Sequence, residues 1–424
     1  MKVLWKISLI GIVSLLLSSN LFAVEYSNIN QPNLTKAKIQ IRLEKSTPLN
    51  VIFQRSLKEM LTSSLLFKQV SSGELDYSLT IEESVEQGRL IIGLDNKQDE
   101  TDELKYFGLK FKKQNNEYIR SKAAKIGNRI LKESFGIKGS LGTAITWSAR
   151  EDQRKVIFLG SLGAPDQSSR VTYNHFSNDG VSWSPKRDKI IYTAHTAKGT
   201  TILVQQIYPF RSKAIQVFKE WGKASGSFWA ADGSVFMTLH VSKQNSDIYQ
   251  FSLPEDPYQE ADPNLKKMRK WTFNKTIDTD AHVSPDGKYL AYVSDQTGSP
   301  QIYLIDLKNG KSKRITKKGG YNVTPAWSPD SRFLAYSGVR QGVSSLFRIQ
   351  INNGQEKRLT NAKIRIEAPT WSPDGSLIAF AGQKEKYGVS KIYYVLSSGG
   401  AFQRLTNSSA QIHETSPSWR PAAN

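Results

Sequence analysis

The chain has 424 residues, 38% hydrophobic and 10% aromatic, which excludes wholesale disorder and a multi-span membrane protein and, at roughly 150 residues per domain, points to two or three domains. The absence of cysteine removes disulfides, zinc-thiolate and iron-sulfur sites, cysteine nucleophiles and a lipid-bearing N-terminal cysteine. A formal charge of +20, from 58 Lys and Arg against 38 Asp and Glu, admits nucleic acid, anionic lipid and acidic protein as partners.

Residues 1–23 read as an export signal. Lys2 and Lys6 flank the start of an apolar run from Ile7 to Leu17, and Ser18 to Ala23 give a polar-to-small ending. A bilayer span needs about 20 apolar residues, so cleavage after Ala23 and a mature chain without a transmembrane segment are expected. An exported chain with no RRM-like signature and no basic run interleaved with aromatics is not expected to bind nucleic acid.

Residues 24–136 read as a small α/β domain. Ile39 to Leu43 alternates like a strand, Pro48 to Leu66 like a helix opened by proline, and Tyr77 to Ile81 and Leu90 to Ile92 again like strands. Tyr118 to Phe135 is a helix with Ile119, Ala123, Ile126, Ile130 and Leu131 on one face. This segment holds 18 Lys and Arg against 15 Asp and Glu, which leaves +15 to residues 137–424.

Residues 137–424 are organised by a repeat. Trp183-Ser184-Pro185, Trp229-Ala230-Ala231-Asp232-Gly233, Val283-Ser284-Pro285-Asp286-Gly287, Trp327-Ser328-Pro329-Asp330, Trp371-Ser372-Pro373-Asp374-Gly375 and Trp419-Arg420-Pro421 follow one another at 46, 54, 44, 44 and 48 residues. Each unit contains four short β-type runs, the signature of a propeller blade. In the clearest copy these are Thr324 to Ser328, Phe333 to Tyr336, Leu346 to Ile349 and Arg358 to Thr360, with outer runs at Arg314 to Thr316 and Arg404 to Thr406 in its neighbours. Pro-Asp-Gly and Asn-Gly supply the turns. Ala144 to Trp147, Val156 to Leu159 and Arg170 to Tyr173 lack a first strand, and the chain ends on a spare one at Trp419, so three early strands and one late strand complete a sixth blade. The fold class is therefore an α/β N-terminal domain followed by an all-β six-bladed propeller. Pro254 to Pro263 read as a surface insertion, each repeated Trp as packing between blades, and the Asp of Pro-Asp-Gly as a turn residue.

The variable segments before each first strand are the functional candidates. Asp278-Thr279-Asp280, Asn322-Val323-Thr324, Arg365-Ile366-Glu367 and His413-Glu414-Thr415 differ while the strands after them repeat. A ring of unlike loops around one mouth suits an asymmetric partner, and the basic charge leads us to expect an acidic-faced one. Thr279, Asp280, Val323, Thr324, Glu367, Glu414 and Thr415 are the candidate contacts, and His282 and His413 are placed near that mouth.

The signal, the α/β segment and the six Trp-Ser-Pro-Asp-Gly, Leu-Ala-Tyr, Ile-Tyr, Arg-Leu-Thr repeats together resemble the TolB family, periplasmic propellers of the bacterial Tol-Pal envelope system. Phe135-Gly136-Ile137-Lys138-Gly139, with Thr143 and Ile145, is similar to that family's entry into its first blade. The resemblance implies a non-enzymatic periplasmic scaffold. Its propeller mouth would receive a peptidoglycan-associated lipoprotein (Pal) and its N-terminal region an inner-membrane TolA-like partner, in support of outer-membrane integrity and invagination at cell division. Thr279 and Asp280 match family positions at the Pal-binding mouth and Gly226 the corresponding place one blade earlier, whereas Lys223 stands where the family commonly has histidine. The family's short mature N-terminal strand is not recognisable between Val24 and Leu49.

Other readings rest on less. A peptidase of the prolyl-oligopeptidase type lacks its G-x-S-x-G. Ser177 to Trp183 falls one residue short of the sialidase Ser-x-Asp-x-Gly-x-Thr-Trp turn and occurs once, so Asn178-Asp179-Gly180 reads as a turn into a blade. Gly310-Lys311-Ser312 lacks the glycine a phosphate loop requires at Ile305. The histidines at 175, 195, 240, 282 and 413 show no metal spacing, and no cofactor or metal is expected. A secreted propeller binding glycan or anionic lipid is the alternative function.

Overall fold

The computed structural model describes residues 36–44, 48–70, 75–84, 89–97, 105–110, 115–218, 223–254, 256–258, 268–361, 364–384 and 388–422. The expected export signal, residues 1–23, lies outside the described residues, as does most of the expected insertion at 254–263.

The N-terminal part comprises β1 (Ala37–Leu43), α1 (Pro48–Ser63), β2 (Phe67–Gln69), β3 (Tyr77–Ser84), β4 (Arg89–Asn96), β5 (Lys105–Lys110) and α2 (Asn116–Phe135). Its mixed sheet has the order β2-β1-β3-β4-β5, with β1 parallel to both neighbours and the rest antiparallel. Helix α1 stops at Ser63, three residues short of the expected Leu66. Ser63 and Ser64 donate their hydroxyls to the carbonyls of Glu59 and Leu61, Leu65 turns left-handed at φ 66°, and the chain enters β2. Neither β2 nor β5 is anticipated by the sequence reading, because each offers at most two buried apolar positions to a period-2 pattern. Helix α2 starts where the Asn115 side chain accepts the Tyr118 amide at 2.9 Å and ends on left-handed Gly136. The five residues assigned to its apolar face are all buried.

That helical layer is fused to the propeller. Leu57, Leu61 and Ile130 share one apolar cluster with Ile145 and Trp147 of the first propeller blade (blade 1) and Leu377 of the sixth (blade 6: Arg365–Trp371, Leu377–Gln383, Ser390–Leu396 and Phe402–Arg404). Ser140 donates to the Asp374 carboxylate at 2.5 Å. Gly142, at φ 72°, runs so close to α2 that a Cβ there would meet the Ala124 Cβ at 2.7 Å.

Six four-stranded antiparallel sheets follow. Blade 5 shows the pattern with Tyr321–Trp327, Phe333–Arg340, Val343–Gln350 and Glu356–Arg358. Its turn is built as expected, with Ser328 donating to Asp330 at 2.6 Å and accepting the Phe333 amide at 2.9 Å. The Asp is thus occupied by the turn. Indole nitrogens bridge blades, Trp327 donating to the His282 carbonyl at 2.8 Å and Trp371 to that of Ala326 at 3.0 Å. Ring closure is as the sequence implied: Glu414–Trp419 pairs with Ala144–Glu151 and completes blade 1 with Arg154–Ser161 and Ala164–Arg170.

The outer strands are corrected by a fixed offset. They end at the arginine where the sequence pattern predicts them to begin: Ala164–Arg170, Ser312–Arg314, Glu356–Arg358 and Phe402–Arg404. The next residue still donates to the third strand, as Leu359 does to Leu346 at 2.8 Å. The threonine after it then substitutes its hydroxyl for a backbone acceptor, Thr360 taking the Leu346 amide at 3.0 Å, while the Arg358 Nε donates to the Thr360 carbonyl at 2.9 Å. Thr316 with Arg314, and Thr172 with Arg170, repeat this arrangement. Arg-Leu-Thr is a clasp that ends a strand, because it satisfies backbone groups the ladder no longer serves.

Candidate functional site

The first strands of the six blades line a central channel with a cavity of about 910 Å³. Three residues before Trp183, Trp229, Val283, Trp327, Trp371 and Trp419 stand Gly180, Gly226, Asp280, Thr324, Ala368 and Ser416, with φ of 65°, 58°, 52°, 52°, 49° and 51°. Pairing with the second strand slips at each of these points, so every blade carries a β-bulge at the same height. The candidate segments are therefore strands with a bulge and not loops. Asn178-Asp179-Gly180, read as a turn, likewise lies inside the strand Ser177–Trp183.

The bulge sets what faces the channel. The residues five before each strand end, Asn178, Ala224, Asp278, Asn322, Ile366 and Glu414, are at most 2% exposed and turn between blades. Most of those at the next two positions line the cavity. Of the nine candidate residues, seven come together there: Thr279, Asp280, Gly226, Val323, Thr324, Glu367 and Thr415. Glu414 is corrected to a buried residue that accepts the Thr406 hydroxyl and, at 3.4 Å, the Ile392 amide. Lys223 is exposed, precedes the strand Ala224–Trp229 and is not among the lining residues.

Asp179 lines the same cavity and was missed, although counting four residues back from each strand end aligns it with Thr279 and Glu367. Its carboxylate meets Lys155 at 2.9 Å and His195 Nε2 at 3.0 Å. Burial opposes its ionisation, but the His195 hydrogen bond and the Lys155 charge outweigh burial and hold it below the usual carboxylate range. The same hydrogen bond raises His195. Burial pushes the Asp280 carboxyl up, offset in part by the Thr324 backbone N–H. His282 stacks on Phe228 at 4.5 Å between ring centroids, and burial lowers it to about 4. His282 does line the cavity, as expected of a residue near the mouth, and burial holds its ring toward the neutral form. Tyr321 and Ile277, 47% and 38% exposed, add apolar surface to the lining; they lie in variable segments where no repeat marks them.

The lining carries Asp179, Asp280, Asp295 and Glu367 against Lys155. The basic surplus therefore lies elsewhere on the propeller, and the expectation of an acidic-faced partner does not fit this mouth. Among the described residues no group of three or more His, Asp or Glu is placed to hold a metal ion, and no helix is long and apolar enough to cross a membrane.

A family model described as the TolB beta propeller domain matches residues 180–421. A Protein TolB homolog of Chlorobium luteolum is 29% identical over 184 residues, 43% of this chain and 39% of that protein. The Tol-Pal system protein TolB of Bordetella pertussis is 27% identical over 195 residues, 45% of this chain and 41% of that protein. The matched stretch thus spans about two-fifths of these relatives. The crystal structure of TolB from Acinetobacter baumannii superposes with a TM-score of 0.76, covering 92% of this chain and 98% of that one at 21% identity. At that identity the likeness is one of fold.

Proposed function

This chain belongs to the TolB beta-propeller family, and on that premise we propose that it is a non-enzymatic periplasmic scaffold of a Tol-Pal system. Its channel mouth receives a peptidoglycan-associated lipoprotein, its N-terminal region engages an inner-membrane TolA-like partner, and the assembly supports outer-membrane integrity and invagination at division. One observation carries the reading: six bulges at one height present unlike side chains, Asp179, Thr279, Val323, Glu367 and Thr415 among them, around one opening. A symmetric scaffold with an asymmetric rim recognises a partner by complementarity, and rigid strands hold that rim in place.

The mouth's carboxylates and its Tyr321 and Ile277 surface favour a partner segment with apolar groups and hydrogen-bond donors. Thr279→Arg places a bulky cation in that contact while leaving blade packing alone, since surface substitutions shift stability by less than about 0.5 kcal/mol. Calorimetric titration of the cognate lipoprotein should show a loss of roughly 2 kcal/mol, about thirtyfold in affinity, with matched melting curves. Equal affinities would exclude this mouth, and no binding by the parent chain would overturn the lipoprotein reading itself.

A further inference from the structure

Part of the basic charge that the mouth lacks is gathered on and beside one outer strand. Blade 4 runs Asp278–Val283, Tyr289–Ser294, Gln301–Asp306 and Ser312–Arg314, so Ser312–Arg314 is its outermost strand. Between 307 and 320 the chain holds Lys308, Lys311, Lys313, Arg314, Lys317 and Lys318 and no acidic residue. All six side chains are exposed. Among the described residues none of the five lysines forms an ion pair, and Arg314 donates to the Thr316 carbonyl at 2.6 Å and the Thr297 hydroxyl at 3.5 Å. Asp306, at the base of the hairpin, spends its carboxylate on the Lys308 amide and the Asn309 side chain, both at 2.9 Å.

The equivalent strands elsewhere are not built this way. In blade 5 Glu356 pairs with Arg340 at 3.0 Å, in blade 1 Arg170 pairs with Glu151 at 2.8 Å, and Phe402–Arg404 of blade 6 carries a single cation. The outer strand of blade 3, Arg269–Lys270, is also cationic, but Lys270 pairs with Asp247 at 2.7 Å and Arg269 lies 3.8 Å over the Trp271 ring; the blade 4 segment differs in that, among the described residues, its lysines form no ion pair.

From this ridge we propose that the outer edge of blade 4 is a docking surface for an anionic bilayer, through phosphate-bearing lipid headgroups. The six cations are all exposed, open to a broad surface and not gathered around a small ion. Five of the six are lysines, flexible point charges suited to a diffuse planar array of anions and not to the bidentate geometry that arginine provides. The inference is independent of the lipoprotein reading, because none of the six cations lines the mouth.

The test is co-sedimentation of the full chain with vesicles of phosphatidylglycerol and phosphatidylcholine, or of phosphatidylcholine alone, at low and high salt, beside a double-stranded DNA fragment. Binding to the anionic vesicles is expected to disappear at high salt, where screening shortens the reach of each charge. At roughly fivefold per cation near an anionic surface, the combined variant Lys311→Gln, Lys313→Gln, Lys317→Gln, Lys318→Gln should bind a hundredfold or more weaker. The same four positions changed to Arg should bind like the parent. A charge-matched control, Lys58→Gln, Lys125→Gln, Lys132→Gln, Lys198→Gln, should stay within a few-fold of it. No binding of the parent to anionic vesicles, equal losses in ridge and control variants, or capture of DNA in place of vesicles would each overturn the proposal.

Discussion

The indole Nε1 of Trp183 donates to the carbonyl oxygen of Ser418 across 3.2 Å, tying the first strand of blade 2 to the strand that closes blade 1, 235 residues away in sequence. Just beyond it Arg420 donates from Nε to the Arg187 carbonyl at 3.0 Å and lies 4.3 Å over the Tyr208 ring. The seam is therefore held on both sides: Arg420 also donates its amide to Ala144 of blade 1.

Removal of residues 416–424 should open that seam. Trp419 is buried and donates to the Thr143 hydroxyl at 2.7 Å, and truncating a buried Trp to Ala alone costs roughly 3–5 kcal/mol. Thermal denaturation of Trp419→Ala and of the shortened chain measures the loss; a shortened chain that melts like the parent would contradict closure at this strand.

Glu414 and Glu367 occupy neighbouring positions of the repeat and should behave oppositely. Glu414→Ala removes a buried acceptor and leaves the Thr406 hydroxyl unpaired, a loss of roughly 1–3 kcal/mol. Glu367 is half-buried at the mouth and paired with exposed Arg365 at 2.7 Å, so Glu367→Ala should change stability by less than about 0.5 kcal/mol. Urea unfolding of the two variants distinguishes them, and similar midpoints would refute the assignment of one to packing and the other to the rim.

Acid should destabilise the protein through His282. The unfolded chain takes up the proton near the ordinary value of 6.5, but the folded ring does so only near 4. Below 6.5 the unfolded state thus binds more protons, and stability falls with pH across that window by up to roughly 3 kcal/mol. His282→Phe should flatten the slope between those limits in a series of denaturation curves, whereas an unchanged slope would assign it to other groups.

Ala368 is held at φ 49°, where a Cβ is unfavourable by roughly 1–2 kcal/mol and glycine is not. Set against the greater freedom glycine gains in the unfolded chain, Ala368→Gly should be neutral to stabilising by about 1 kcal/mol, and Ala368→Val should lose stability. Melting temperatures read both. A destabilised glycine variant would mean that the bulge is not strained at this blade.

Much of the architecture is legible without coordinates. The Trp-Ser-Pro-Asp-Gly turns announce themselves because each residue type answers a local need, a φ fixed by proline, a carboxylate that holds the turn, a glycine that accepts positive φ. Helix α2 is legible for the same reason, since its apolar stripe and the Gly136 cap are properties of a short stretch of chain. Arg-Leu-Thr is visible as a repeated motif but reads as a strand, because its role, satisfying a neighbouring strand's backbone, is not a local property of the chain.

The candidate site lies at the boundary between these cases. Six blades, a last strand that closes the first, and a variable segment ahead of each repeated Trp or Val are all legible in the sequence. Which of those variable residues reach the channel depends on how the strands pair in the folded blade. A single bulge residue shifts the period-2 alternation, so Glu414 turns into the interface between blades while Thr415 faces the cavity, and Asp179 joins Thr279 on the rim. That choice depends on backbone pairing between strands and on the packing of adjacent blades, neither of which a one-residue difference in sequence position encodes.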